Sequence, residues 1–240
     1  MHFLPFLKTF FFHPCGVDVR KYPDWILKSK INLLNANKIS TIIDVGANIG
    51  QYATQVRSLG FNGRIISIEP QKKEFDILRA KTQRHNNWDA INVALGDYDG
   101  DHTINIASNS YSSSMLDINS AGGNLFNYVD KQNVTVARLD SIYDDLISPT
   151  EKVFLKVDVQ GFEQEVIKGA YNSLRKIAGV QLEVSHFENY KGEMLFTDTL
   201  KEMEKLNFSL HAISPELFNS NDGKQLQSDC IFFKNTLAND

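Results

Sequence analysis

The chain has 240 residues, 42% of them apolar, which suffices for one substantial α/β core preceded by an N-terminal extension. A net charge of −4 argues against the basic face on which nucleic-acid binding depends, so no nucleic-acid partner is expected. Two cysteines far apart in sequence, Cys15 and Cys230, predict a reduced, cytoplasmic chain rather than a disulfide framework.

Met1–Phe12 is aromatic and apolar, broken by Pro5 and Lys8. It is shorter than the ~20 apolar residues that span a bilayer, and it lacks the basic region and cleavage site of a secretory signal. It is expected to pack on the domain or across a homodimer, with a peripheral membrane contact as the alternative. His13-Pro-Cys15 reads as a loop. Pro23 to Lys38 reads as a helix with Trp25, Ile26, Leu33 and Leu34 inward and Lys28, Lys30 and Lys38 on its solvated face. These two pieces make an N-terminal part, residues 1–38, ahead of a core domain, 39–240.

Thr41 to Val45 is a β-branched apolar run that ends in a glycine turn, Gly46-Ala47-Asn48-Ile49-Gly50. An amphipathic helix follows through Tyr52, Ala53, Val56 and Leu59. Strand, glycine turn and helix bring backbone close to a nucleotide. Asn48 stands where G-x-G-x-x-G would need its second glycine, which argues against a dinucleotide, and no P-loop Lys-Ser/Thr follows. Asp44 at the strand end suits a cationic ligand such as S-adenosylmethionine. Arg64 to Glu69 is the next strand, and Glu69, before Pro70, stands where a ribose diol is gripped.

Asp44-Val-Gly-Ala-Asn-Ile-Gly-Gln-Tyr52, Ile68-Glu-Pro70 and Leu155-Lys-Val-Asp-Val-Gln-Gly-Phe-Glu163 together resemble the FkbM-type methyltransferase family. The resemblance covers Ser40 to Ser185. It implies a class I methyltransferase fold, a doubly wound Rossmann-like α/β sheet of seven strands, mostly parallel with an antiparallel last strand. It also implies S-adenosylmethionine as cofactor and, in many members, hydroxyl groups of sugars or polyketides as acceptors. Cofactor contacts are expected from Asp44, Gly46, Asn48, Gly50, Tyr52, Glu69, Pro70 and Asp158. The end of the third strand, Ala94, Leu95 and Asp97, is expected beside the adenine.

Gln71 to Arg84 reads as a helix and Trp88 to Leu95 as the third strand. Asp97, Asp99 and Asp101 copy the start of a calcium loop, but Ser108 occupies the position that needs a glutamate, so a plain turn is expected. His102 to Ala107 alternates like a strand. The Ser/Asn-rich stretch after it, through Gly122-Gly123, is a candidate substrate or lid loop. A strand from Val134 and a helix over Leu139–Leu146 lead into Val153 to Asp158, a buried strand. A helix is predicted from Phe162 to Ile177, then a strand to Ser185. A helix over Phe196–Leu206 and strands at Phe208–Ile213 and Asp229–Phe233 follow, the last two joined by a loop over Leu217–Gln227.

Asp158 ends the fourth core strand, at the switch point of such a sheet, and is expected to share one crevice with Asp44. It is the candidate general base for an acceptor hydroxyl, with Glu163 and His186 as further catalytic candidates. Asp158, Glu163, Glu183 and His186 could also make a divalent-metal site, which is not favoured. Lys156 is left without a role. The expected activity is O-methylation of a glycan or other small polar acceptor, lipid-linked acceptors included. The alternatives are a non-catalytic cofactor-binding domain serving a protein partner, and an NAD-dependent sugar-modifying enzyme.

Overall fold

The computed structural model describes residues 22–108, 112–119 and 127–235. The aromatic segment Met1–Phe12, Cys15 and the Gly122-Gly123 end of the candidate lid loop lie outside the described residues. The elements in order are α1 (Trp25–Ala36), β1 (Thr41–Val45), α2 (Gln51–Ser58), β2 (Arg64–Ile68), α3 (Lys72–Thr82), β3 (Trp88–Ile91), β4 (Ala94–Leu95), β5 (Gly100–Ala107) and β6 (Tyr128–Ala137). Then come α4 (Leu139–Leu146), β7 (Val153–Val157), α5 (Glu163–Gly169), β8 (Gly179–Ser185), α6 (Phe196–Lys205), β9 (Phe208–Phe218) and β10 (Gln225–Lys234).

Seven strands form the central sheet in the order β3-β2-β1-β7-β8-β10-β9. The first five are parallel. β10 enters between β8 and β9, antiparallel to both. This is the class I methyltransferase arrangement, with the last strand inserted antiparallel as expected.

Successive side chains of a strand point to opposite faces, and each face here buries its own core. Ile43, Val45, Ile66, Ile68, Leu155 and Val157 pack under α4, α5 and α6 through Tyr143, Val166 and Met203. Ile42, Ile65, Phe154, Ile231 and Phe233 pack under α1, α2 and α3 through Leu34, Val56 and Leu78. On this second face the strands become polar two residues further along. The register aligns Ser67, Asp44, Lys156 and Gln181 in one row, and Glu183, Asp229 and Ser214 in the next.

Several elements differ from expectation. Trp88–Leu95 is two strands, because the Asn92 side-chain amide donates to the carbonyls of Glu69 (2.8 Å) and Pro70 (3.0 Å) and turns the chain out of the ladder. β4 then joins β6 and β5 in a separate three-stranded sheet around Ala94, Ile104, Val134 and Val136. The helix predicted to Ile177 stops at Gly169. Beyond it the Asp140 carboxylate accepts from the backbone amides of Asn172 (3.0 Å) and Ser173 (2.7 Å), which holds a 3₁₀ turn. β9 and β10 run closer together than predicted, joined by a short turn in which the Gly223 amide donates to Asn219 O (2.8 Å). In the turn before β5, Asp99 accepts from the Arg138 backbone and guanidinium and from Ser141 Oγ at the start of α4. Among the described residues, no helix is long and apolar enough to cross a membrane.

Candidate active site

A cavity of about 560 Å³ opens over the carboxyl ends of the parallel strands, on the face where the sheet turns polar. Its wall includes the loop after β1, the ends of β2 and β4, the loop after β7, and residues of β8, β9 and β10. α1 closes one side with Asp24, Ile26, Leu27 and Lys30, so the N-terminal part contributes directly to the site. The Lys30 side chain, expected in solvent, is only 6% exposed, while Trp25 on the same helix is 73% exposed. Helical periodicity alone does not say which stripe a cavity takes.

At the β1/β2 end, Gly46, Asn48, Tyr52, Glu69, Pro70, Ala94 and Leu95 all line the cavity. The Glu69 carboxylate is 2% exposed and is held by main chain. It accepts from the backbone amides of Asn48 (2.7 Å) and Gln71 (2.9 Å). Burial pushes its pKa up to about 7, against those two hydrogen bonds. Asn48 accepts from the Ile49 amide (2.8 Å), which sets the entry to α2.

The glycines of the turn serve packing. Gly46 has φ +72°, and a Cβ there would sit 1.8 Å from the Asp158 carbonyl oxygen, so glycine lets the loops after β1 and β7 cross. Gly50, expected at the ligand, does not line the cavity. With φ +85° it lies against Trp88 and Leu78. Asp97 is exposed and outside the cavity as well.

Asp44 and Asp158 do not share the crevice directly. Asp158 lines it, whereas Asp44 is fully buried one layer below, and Lys156 stands between them. Lys156 Nζ is 3.3 Å from Asp44 Oδ1 and 3.3 Å from Asp158 Oδ2. Burial opposes its charge, yet Asp158 and Asp44 outweigh burial and hold the ammonium above the ordinary lysine range. Behind it, Trp88 Nε1 donates to Ser67 Oγ (2.9 Å), and Ser67 Oγ donates to Asp44 (3.4 Å). Lys156 is therefore the central cation of the site, a part the sequence left unassigned.

The β8/β10 end is held by side chains. Gln160 Nε2 donates to both Asp158 Oδ1 and Glu183 Oε2, each at 2.9 Å. Gln227 Nε2 donates to the same Glu183 oxygen at 2.9 Å. Tyr52 OH donates to Gln181 Oε1 (3.3 Å), and Gln181 Nε2 donates to Asp229 Oδ2 (2.7 Å). Burial, reinforced by Asp158 and Glu163, lifts the Glu183 carboxyl well above the usual carboxylate range. Burial and the neighbouring Asp229 raise Glu216 to about 7.

Of the three catalytic candidates only Asp158 lines the cavity. Glu163 is buried beside it, where its Oε1 accepts from the Val159 amide (2.8 Å) and shapes the loop that carries Asp158. Burial raises the Glu163 pKa to about 8. His186 points elsewhere: its Nε2 is 2.7 Å from Ser228 Oγ, and its ring lies 5.1 Å from that of Phe196. Asp158, Glu163, Glu183 and His186 are not gathered into a metal set. Among the described residues, no group of three or more His, Cys, Asp or Glu could hold a metal ion.

Solved structures align with the chain, two of them with a TM-score of 0.50. Methyltransferase FkbM from Methylobacillus flagellatus KT aligns with 17% identity and a TM-score of 0.45, over 81% of this chain and 43% of that one. The chain thus spans less than half the length of that protein. Magnesium protoporphyrin IX methyltransferase (ChlM) from Synechocystis PCC 6803, solved with bound SAM, aligns with 10% identity and a TM-score of 0.50, covering 87% of this chain and 78% of that one. TrmK from M. capricolum, solved with S-adenosylhomocysteine, gives 10% and 0.50, covering 90% of this chain and 70% of that one. A search of curated proteins returns no match. The family model described as the Methyltransferase FkbM domain matches residues 44–210, from Asp44 in β1 to Leu210 in β9. The chain belongs to the FkbM family of S-adenosylmethionine-dependent methyltransferases.

Proposed function

We propose that the chain transfers a methyl group from S-adenosylmethionine to a hydroxyl oxygen of a glycan or other small polar acceptor. The observation that carries this reading is a single cavity with two unlike ends and Asp158 between them. One end offers what a nucleoside needs. Glu69 is positioned to accept from a ribose diol, Ala94 and Leu95 give an apolar wall for a base, and Asp158 can accept from an α-amino group. The structures of ChlM with SAM and TrmK with S-adenosylhomocysteine, which share the fold, support placing the cofactor in this cavity.

The cofactor supplies an electrophilic methyl on a sulfonium. The protein has to position the acceptor oxygen in line with that methyl and accept its proton. Asp158 is the proton acceptor. Its carboxylate faces the cavity, and Gln160 and Lys156 fix its two oxygens. The electrophile is already activated, so a weak base suffices. A sugar whose own ring is neutral, carried on a lipid or a nucleotide that stays outside the acceptor end, is the acceptor we favour.

The test begins with calorimetric titration against S-adenosylmethionine, S-adenosylhomocysteine and NAD, where the first two should bind and NAD should not. Transfer of labelled methyl to a panel of nucleotide- and lipid-linked sugars should follow. Asp158→Asn should lower turnover by about 10²-fold or more, a loss larger than any it causes in S-adenosylhomocysteine affinity. A fully active Asp158→Asn enzyme removes Asp158 as the base, and products methylated only on nitrogen remove the O-methyl reading. A folded protein that binds the cofactor and transfers to nothing favours the non-catalytic alternative.

A further inference from the structure

The cavity holds two buried lysines with opposite circumstances. Lys156 is matched on both sides, by Asp44 and Asp158 at 3.3 Å, with the carbonyls of Val45 and Gly46 at 3.4 Å. Lys30 is 6% exposed and lines the cavity from α1. Its nearest anion, Asp229 Oδ2, is 3.8 Å away, beyond hydrogen-bond distance, and its other neighbour is the face of the Tyr52 ring at 4.9 Å. Among the described residues, Lys30 Nζ makes no hydrogen bond. An ammonium taken out of bulk water with its donors unmatched is costly to leave so, and its donors are available to an oxygen entering the cavity.

We infer that the end of the cavity walled by α1, β9 and β10 is the acceptor subsite and takes a neutral, polyhydroxylated ring, with Lys30 donating to one ring-borne oxygen and Asp229 and Glu216 accepting from adjacent hydroxyls. The inference rests on the O-methyltransfer reading and gives it a substrate class.

Charge selects neutral over anionic ligands. Asp158 and Asp229 face the same space as two ammonium groups. Lys156 is already paired twice, and Lys30 sits in the field of Asp229. A phosphate or carboxylate brought here would find both ammonium groups already facing carboxylates, Lys156 those of Asp44 and Asp158 and Lys30 that of Asp229, and would meet like charge at Asp158 and Asp229. A hydroxyl both donates and accepts, so a ring bearing neighbouring hydroxyls matches an ammonium set beside carboxyls. Ile26, Leu27 and Pro215 line the same end and offer an apolar surface to the ring carbons. Gln160, bridging Asp158 and Glu183, joins this subsite to the proton acceptor.

The test uses the full chain saturated with S-adenosylhomocysteine and, as probes, methyl pyranosides of neutral hexoses beside glucuronate and glucose 6-phosphate, with binding read by saturation-transfer NMR. At least one neutral glycoside should bind, with both anions at least tenfold weaker. Lys30→Met and Asp229→Asn should each weaken the neutral sugar at least tenfold, with S-adenosylhomocysteine affinity within twofold as the control for folding. Equal or tighter binding of either anion overturns the inference, as does unchanged sugar binding in both variants or no binding of any neutral glycoside. Neutral binding together with a product methylated on nitrogen or carbon supports the subsite and overturns only the O-methyl reading.

Discussion

The two ends of the cavity are built by different means. At the β1/β2 end the key carboxylate, Glu69, is gripped by backbone amides of Asn48 and Gln71. At the β8/β10 end Glu183 and Asp229 are gripped by glutamine side chains, from Gln160, Gln227 and Gln181. A carboxylate fixed by main chain can be altered only by changing the loop that offers the amides. One fixed by side chains can be retuned by single substitutions with the sheet left in place. The first construction suits the cofactor proposed for that end, and the second suits the proposed acceptor.

Lys156 joins the two ends, and its removal should have the largest effect. Lys156→Met leaves the fully buried Asp44 without its ion pair and Asp158 without one of two supports. Breaking a buried pair from one side costs about 3–5 kcal/mol. Urea denaturation should show a loss of that order, and Asp44→Asn introduced into Lys156→Met should recover part of it. A loss under ~1 kcal/mol would mean that the pair is solvated and that the ends are not joined through Lys156.

The next effect separates the ends. Glu69→Ala removes a charged acceptor at the cofactor end and should weaken S-adenosylhomocysteine by about 1.5–3 kcal/mol, read by calorimetry. Gln227→Ala withdraws one of two donors from Glu183 and should instead lower kcat/KM for the acceptor, with cofactor affinity unchanged. If both variants weaken the cofactor alike, the cavity is one site and the comparison fails.

The cofactor end was legible because its signals are local. Asp44 to Tyr52 and Ile68-Glu-Pro70 each lie within a few residues, and strand–turn–helix geometry carries them to the site. Even there Asp44 proved to be a layer too deep and Gly50 a packing residue, since sequence distance does not measure depth. The acceptor end depends on pairs such as Lys30 with Asp229 and Gln160 with Glu183, which only the folded sheet brings together. One cue was present and unused. Three central strands read Thr-Ile-Ile-Asp-Val, Arg-Ile-Ile-Ser-Ile and Val-Phe-Leu-Lys-Val, each with a polar residue in fourth place. In register, Asp44, Ser67 and Lys156 become one row on one face. Lys30 had no such cue, because helical spacing set it among solvated lysines. The same spacing ran the helix after β7 to Ile177, where Asp140 from another helix stops it.

A smaller effect concerns pH. Burial raises Glu163 to about 8 from an ordinary value of 4.5, and Glu69 and Glu216 to about 7. Between pH 4.5 and 8 the folded chain therefore binds more protons than the unfolded one, so its stability falls as pH rises and levels off above the highest of these values. Glu163→Gln keeps an acceptor for the Val159 amide and cannot ionise. Its stability relative to the native chain should grow from pH 5 to pH 8 by on the order of 1 kcal/mol per pH unit at most. Parallel stability curves would show that Glu163 ionises freely in the fold.

His186 gives the smallest expected effect and tests where the site ends. It stands past β8, whose Gln181 and Glu183 line the cavity, yet it turns to Ser228 Oγ and the Phe196 ring. One half-buried side-chain hydrogen bond contributes about 0.5–1.5 kcal/mol. His186→Ala should lose no more stability than this and should keep kcat, KM and the pH profile of turnover within twofold of the native enzyme. A large fall in kcat with stability intact would carry the acceptor subsite around the end of β8 and return the imidazole to the chemistry. The unlike ends would then have to be redrawn, because a group outside the cavity would be reaching the substrate.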